Sequence, residues 1–300
     1  MTRSRRLVLA LVIDLVLVVG EALGGVLAHS TGLVATAGHD LADAAALVLA
    51  LAAARLALRP ATAARSFGYH RATILAALAN ATAIVIVALG VVALAAWRLA
   101  EPAHVQGWVV VVFASAGLLG NSAAALVLRE HSHDLNFRAV ALHFGGDAVA
   151  ALGVIIAGTV IIVTGRFEAI DPAVALLITL LIAAKAWRLV RTSLEVLLES
   201  TPADLDVGAL ASAISSTEGV TAVHDLHCWS LSSDVRALSA HIVLDGHPSL
   251  EEAQVVGERV KASVARHFNV AHATLEMECE PCADDVAVSC AVDPVSRVVS

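Results

Sequence analysis

Residues 73–97 read TILAALANATAIVIVALGVVALAAW, a stretch of 25 residues without a charged side chain. A helix needs about 20 mostly apolar residues to cross the hydrocarbon core of a bilayer. Arg71 precedes the stretch and Arg98 follows it, as is common where a spanning helix meets the polar edges of a membrane. The stretch therefore predicts a helix that spans a membrane.

Five more apolar stretches of similar length accompany it, separated by short connections that contain polar residues, Gly or Pro. Asp171-Pro172 is a helix-start signal for the last of them. With the first stretch they predict six spans, at about 7–28, 33–54, 73–97, 107–128, 139–163 and 172–193. Residues 1–198 are therefore expected to form an all-α membrane domain, a six-helix transmembrane bundle.

Positive charges predict how this bundle is oriented, because cytoplasmic connections carry an excess of Lys and Arg. One side of the predicted bundle holds twelve such residues in its connections and helix ends, whereas the opposite side holds only Arg98 and Arg166. The twelve are Arg3, Arg5, Arg6, Arg55, Arg59, Arg65, Arg71, Arg129, Arg138, Lys185, Arg188 and Arg191. Both termini are therefore expected in the cytoplasm, in a multi-pass protein of the cell (inner or plasma) membrane.

The last third of the chain has the composition of a soluble domain and is acidic. Residues 200–300 carry 5 Lys and Arg against 15 Asp and Glu, a net charge of −10. This charge argues against nucleic acid as a partner, because nucleic-acid binding requires a basic surface. Between 204 and 278 the pattern predicts helix, strand, strand, helix and strand, and thus a small α+β cytosolic domain over 199–283. Residues 284–300 are expected to be a disordered tail.

Two of the predicted spans contain the sequence His-x-x-x-Asp. His39 and Asp43 lie in the second span, and His143 and Asp147 lie in the fifth. Ionisable residues at mid-membrane cost roughly 2.5–3.5 kcal/mol each, so they tend to face the bundle interior and to be functional. Residues four apart share one helix face. Two facing pairs would supply two nitrogens and two oxygens, a tetrahedral set for Zn²⁺, and imidazole disfavours Mg²⁺ and Ca²⁺.

The alternative for these pairs is structural, with each histidine bonded only to the aspartate of its own helix. Two copies on separate spans favour the metal interpretation. Asp40 lies about 100° around the helix from His39, and we expect it to be an outer or pathway residue rather than a ligand. Asp14 and Glu21 share one face of the first span. They either line an aqueous cavity or form a buried hydrogen-bonded pair.

These motifs resemble those of the cation diffusion facilitator family, in its zinc-exporting branch of cobalt-zinc-cadmium efflux type. The resemblance covers nearly the whole chain and also rests on Phe67-Gly68-Tyr69-His70-Arg71 and His224-Asp225-Leu226-His227-Cys228-Trp229. It implies a homodimer that exports a divalent metal in exchange for protons by alternating access. It further implies a transport site made by His39, Asp43, His143 and Asp147, and a ferredoxin-like (αββαβ), metallochaperone-like tail.

The resemblance also implies a zinc site in the tail, best matched by His224, His241 and Glu276. Strand alternation would put Glu276 and Glu278 on one face, so Glu278 is an alternative to Glu276. An exposed sheet face with ordinary polar residues is the competing interpretation. Weaker candidates for metal binding are Cys279-x-x-Cys282 and the loop residues His70, His131, His133 and Asp134.

The predicted function is proton-coupled export of Zn²⁺, with Co²⁺ or Cd²⁺ as further substrates, Zn²⁺ as a regulatory ligand and no organic cofactor. Expected partners are divalent metal ions, protons, the lipid bilayer and a second copy of the chain. An intramembrane zinc enzyme would need an open coordination position and a general base, and no His-Glu-x-x-His motif occurs. The competing interpretations are a metal-gated channel or sensor, and uptake in place of export.

Overall fold

A computed structural model describes residues 3–129, 135–232 and 235–280 of the chain. The predicted disordered tail at 284–300 and the candidates His131, His133, Asp134 and Cys282 lie outside these residues. The chain divides into two compact units, Met1–Arg55 with Ala76–Arg191, and Leu56–Leu75 with Thr192–Ser300. We call them the membrane unit and the tail unit.

Long helices occur at all six predicted positions. They are α1 Arg3–Ala28, α2 Thr31–Ala57, α3 Ala72–Ala100, α4 Gly107–Arg129, α5 Leu135–Thr164 and α6 Ile170–Leu197. Among the described residues, only α3 to α6 contain segments long and apolar enough to cross a membrane. His39, Asp40 and Asp43 lie in the first half of α2. The chain is a membrane protein, and the crossing of all six helices stays a prediction.

Small residues let the helices of the membrane unit approach closely. α4 packs against α1 and against α5. A Cβ atom added to Gly107 on α4 would lie 2.8 Å from the backbone oxygen of Gly158 on α5, so a side chain there would push the two helices apart. Ala35, Val91 and Ala175 join α2, α3 and α6 in a separate buried cluster. Leu33 of α2 and Val154 of α5 belong to another buried cluster. These two helices carry the His-x-x-x-Asp pairs.

A carboxylate at the start of α6 caps the start of α2. Asp171 accepts hydrogen bonds from the Ser30 hydroxyl (2.5 Å) and from the Thr31 backbone N–H (2.6 Å). The first N–H groups of a helix have no partner within their own helix, and the helix dipole favours negative charge at this end. Asp171 is 1% exposed. The buried carboxylate therefore fixes the beginning of α2, about two turns before His39.

The tail unit contains the helices and strands in the predicted order. They are α7 Val207–Ser215, β1 Val220–Ser230, β2 Arg236–Leu244, α8 Leu250–Phe268 and β3 Val270–Glu278. α7 begins three residues later than the predicted 204, because Asp206 caps it and accepts a hydrogen bond from the Ala209 N–H at 3.0 Å. Ser249 and Glu252 form a capping box at the start of α8.

The three strands form one sheet in the order β1-β2-β3. β1 and β2 are antiparallel, whereas β2 and β3 are parallel. The hydrophobic core of the unit is made of apolar residues from the sheet and from both helices, including Leu210, Ile214, Leu238, Ile242 and Val260. Side chains alternate along β2, so His241 points to the face opposite to this core.

Candidate metal site

The two His-x-x-x-Asp pairs meet in the membrane unit. Within α2, His39 Nε2 lies 3.3 Å from Asp43 Oδ2, and within α5, His143 Nε2 lies 3.6 Å from Asp147 Oδ2. Between the helices, His143 Nε2 lies 3.2 Å from Asp43 Oδ2, and His39 Nε2 lies 3.5 Å from Asp147 Oδ1. The structure therefore brings all four residues predicted for the transport site to one point.

The four nitrogen–oxygen distances agree with those between ligands of a single ion. In a tetrahedral zinc site with bonds of about 2.0–2.2 Å, neighbouring ligand atoms lie about 3.3–3.6 Å apart. The four nitrogen–oxygen distances here run from 3.2 to 3.6 Å. Charge-assisted hydrogen bonds between nitrogen and carboxylate oxygen are shorter, near 2.7–2.9 Å. The arrangement suits a cation held among the four groups.

Two buried polar atoms of this site have no hydrogen-bond partner in the described part of the chain. They are Asp43 Oδ2 and His39 Nδ1. Buried polar side-chain atoms are usually hydrogen-bonded, and leaving one unpaired costs about 1–3 kcal/mol. In the structural alternative, Asp43 would accept a hydrogen bond from His39. The unpaired Asp43 oxygen, equally close to histidines of both helices, argues against that alternative.

A cleft of about 670 Å³ reaches the site and is lined by residues of α2, α3, α5 and α6. His143 has 43% of its side chain exposed, whereas the other three residues have 12–20%. Asn80 on α3 and Lys185 on α6 also line the cleft, and most of its remaining wall is apolar. An ion could therefore enter past His143 and be held where few water molecules compete with the carboxylates.

Asp40 does not belong to the lining of this cleft. It is 4% exposed and lines a separate small cavity with Glu21, His39, Asn121 and Asp147. Its angle around α2 predicted that it lies apart from the four-residue site. Its association with Glu21 of α1 and Asn121 of α4 was missed, because it depends on how the helices pack. Asp14, the second acidic candidate on α1, is partly buried.

In the tail unit, two of the predicted histidines gather around Glu278. His224 Nε2 and His241 Nδ1 each lie 2.8 Å from one of its carboxylate oxygens, and the two rings are 5.1 Å apart. Glu276 contacts His241, with Nε2–Oε2 at 3.4 Å, and its side chain is 68% exposed. The carboxylate shared by both histidines is therefore Glu278. The alternation of side chains along the strand could not decide between Glu276 and Glu278, because both lie on the same face of β3.

A second carboxylate, Asp225, approaches the same cluster through a bulge in β1. The strand register shifts between His224 and His227, and Asp225 has a φ of 48°. Asp225 contacts His227 Nε2 at 3.1 Å and His241 Nε2 at 3.5 Å. Bulges redirect side chains, which explains why strict alternation along β1 missed this residue. We call His224, His241, Asp225 and Glu278 the tail cluster.

The cysteines and the loop histidine are weaker candidates. Cys228 is buried in the core of the tail unit, and burial raises the pKa of its thiol to about 11. A metal ligand must be a thiolate, so Cys228 is poorly suited to bind metal. Cys279 is exposed. His70 lines a cleft of about 510 Å³ within the tail unit, together with His272.

An apolar helical unit with converging histidines and carboxylates, joined to a small α+β unit, defines a membrane transporter of metal cations. The chain belongs to the cation efflux family. Residues 7–198 match the cation efflux transmembrane domain, and residues 202–280 match the cytoplasmic domain of cation efflux proteins. Members of this family are transporters rather than enzymes, which confirms the expectation from the sequence.

Curated relatives resemble the chain over almost its full length. The zinc transporter ZitB of Pectobacterium atrosepticum is 36% identical over 286 residues, 94% of this chain and 88% of the relative. The metal cation efflux system protein CzcD of Cupriavidus metallidurans is 36% identical over 93% of this chain and 88% of its own length. A cadmium, cobalt and zinc/H(+)-K(+) antiporter of Bacillus subtilis is 32% identical over 93% of this chain and 92% of its own length.

Proposed function

We propose that this protein exports Zn²⁺ from the cytoplasm in exchange for protons, and that Co²⁺ and Cd²⁺ are further substrates. The transported ion binds to His39, Asp43, His143 and Asp147 between α2 and α5. The observation that carries this proposal is the set of four nitrogen–oxygen contacts of 3.2 to 3.6 Å among these residues. The names of the relatives, which include a zinc transporter and a cadmium, cobalt and zinc antiporter, support the choice of substrate.

Competition between metal and protons provides the coupling. Metal binding requires neutral imidazole and ionised carboxylate, so the bound ion and protons exclude each other. Histidine ordinarily changes its charge within the physiological pH range. Protons that enter from outside the cell would displace the ion. Two of the four contacts cross between α2 and α5. Separation of α2 from α5 would therefore open the site during alternating access.

The proposed arrangement in the membrane follows from the charges of the connections. All six long helices cross, and both termini are cytoplasmic, as the excess of Lys and Arg on one side predicts. The tail has a ferredoxin-like fold, binds Zn²⁺ as a regulatory ligand, and takes part in a homodimer. The order of its strands and helices supports the fold, and the match to the cytoplasmic domain of the family supports the location.

The test is zinc flux into proteoliposomes that enclose a fluorescent zinc sensor, with and without an imposed pH gradient. Wild-type protein should move zinc, and the gradient should accelerate the flux. Asp43→Asn should reduce the flux at least about 100-fold, because it removes one of the two carboxylates that contact both histidines. Glu101→Gln, in the connection after α3, is the matched control and should transport normally. Zinc flux indifferent to the gradient refutes proton exchange, and full activity of Asp43→Asn refutes the site.

A further inference from the structure

A second cavity adjoins the four-residue site and shares two of its residues. This inner cavity is lined by the polar residues Glu21, Thr36, His39, Asp40, Asn121 and Asp147 and by a few apolar residues of α5 and α6. The centre of a water-sized sphere can move within about 10 Å³ of this cavity. That is room for one water molecule or one dehydrated ion. The cavity therefore has the size and polarity of a site for a single small occupant.

Three oxygen atoms of the residues that line the inner cavity lack hydrogen-bond partners. Glu21, Asp40 and Asn121 are 3%, 4% and 2% exposed. Within the described residues, Glu21 Oε2, Asp40 Oδ2 and Asn121 Oδ1 are buried without a hydrogen-bond partner. Three unpaired oxygens in one small cavity are unusual, because buried polar groups are normally satisfied. A cation bound in the cavity would supply a partner that the described residues do not.

The position of Glu21 is accommodated by a glycine on the opposite helix. A Cβ atom at Gly117 of α4 would overlap Glu21 Oε1. The absence of a side chain at Gly117 thus leaves the space that the carboxylate occupies. The inward placement of this carboxylate depends on the sequences of two helices, α1 and α4.

We propose that the inner cavity is a second position for the transported cation, with His39, Asp40 and Asp147 as its primary ligands. One ligand atom from each of these residues lies within 4.8 Å of the others. His39 and Asp147 also belong to the four-residue site, so an ion could move between the positions without leaving either residue. This inference rests on the proposed export function and adds a step to it.

The chemistry and placement of the second position suit release. It offers one imidazole and several oxygens, whereas the four-residue site offers two imidazoles, so Zn²⁺ is held less strongly in the second position. Thr36 lies nearer than Asp43 to the start of α2, and Ala151 lies beyond Asp147 on α5. The start of α2 and the end of α5 both lie on the side of the membrane opposite the proposed cytoplasmic side. The ion therefore passes through the inner cavity on its way out.

The binding test uses the full chain in lipid nanodiscs and radioactive Cd²⁺ in equilibrium dialysis. All samples carry His224→Ala and His241→Ala to remove the tail cluster. The first sample keeps the four-residue site, the second adds Asp43→Asn and His143→Ala, and the third adds Asp40→Asn to the second. The second should bind Cd²⁺ more weakly than the first, and the third at least about tenfold more weakly than the second.

The three samples distinguish the two proposals. Equal binding by the second and third samples overturns the second position, even if the first sample binds tightly. Failure of the first sample to bind Cd²⁺ overturns the proposed transport site itself. Gel filtration of each sample checks that the protein is folded and monodisperse.

The transport test uses variants that keep all four residues of the transport site. Asp40→Asn and Gly117→Ala should each lower the maximal zinc flux about tenfold and change the zinc concentration for half-maximal flux much less, because binding precedes the affected step. Thr159→Val is the control, since Thr159 lies on the exposed side of α5 and bonds to Ile155 of its own helix at 2.8 Å. Unchanged maximal flux in both variants contradicts the inference.

Discussion

His143 Nε2 lies 3.2 Å from Asp43 Oδ2, although the two residues are on different helices. The contact is as short as that between Asp43 and His39 within α2, at 3.3 Å. Each carboxylate therefore faces both histidines, and the site depends on the placement of α2 against α5. A change of that placement would alter two of the four contacts at once, which is how a conformational change can convert binding into release.

The first prediction concerns the choice of metal and uses His39→Asp. The substitution replaces one imidazole nitrogen by a carboxylate oxygen. Carboxylate ligands suit Mn²⁺ and imidazole ligands suit Zn²⁺, so the variant should favour Mn²⁺ over Zn²⁺. We expect the ratio of zinc flux to manganese flux to fall about tenfold, since one of two nitrogen ligands is lost. Both fluxes are measured in the same proteoliposomes by inductively coupled plasma mass spectrometry.

His104→Asp is the control for this prediction, because His104 is 84% exposed in the connection between α3 and α4. It should leave the flux ratio unchanged. If His39→Asp lowers both fluxes equally, the histidine does not determine selectivity.

The sequence predicted the four-residue site because its pattern is local. The spacing of His39 and Asp43 follows from the helix period, and the same pattern recurs at His143 and Asp147. What the sequence could not supply were contacts that depend on packing or on irregular strands. The gathering of Glu21 and Asp40 in one cavity depends on how α1 and α2 pack, and a bulge in β1 redirects Asp225.

The second prediction concerns the cap at the start of α2. Asp171→Ala leaves the Ser30 hydroxyl and the Thr31 N–H without their acceptor, and should lower the free energy of unfolding by about 2 kcal/mol. Ser30→Ala removes one of these bonds and should lower it by about half as much. Helical circular dichroism during titration from mild detergent into dodecyl sulfate measures both. Equal stability of wild type and Asp171→Ala would show that the cap does not stabilise the membrane unit.

The third prediction separates the two glutamates of β3 as zinc ligands. Hydrogen–deuterium exchange of the full chain should show that zinc protects β1, β2 and β3. In Glu278→Gln, the zinc concentration that gives half of this protection should rise at least about tenfold, because Glu278 contacts both His224 and His241. Glu276→Gln is the matched control on the same face and should have a smaller effect. The reverse order of the two variants would favour Glu276, the residue chosen from the sequence.

The fourth prediction concerns Cys228, whose thiol should take no part in metal binding. Its pKa is raised to about 11 by burial, so at pH 8 only about one thiol in a thousand is the reactive thiolate. Iodoacetamide should therefore modify the exposed Cys279 at least about tenfold faster than Cys228. Peptide mass spectrometry measures both rates, and unfolding in guanidinium should bring them together. Fast modification of Cys228 in the folded protein would mean that this thiol is accessible to metal.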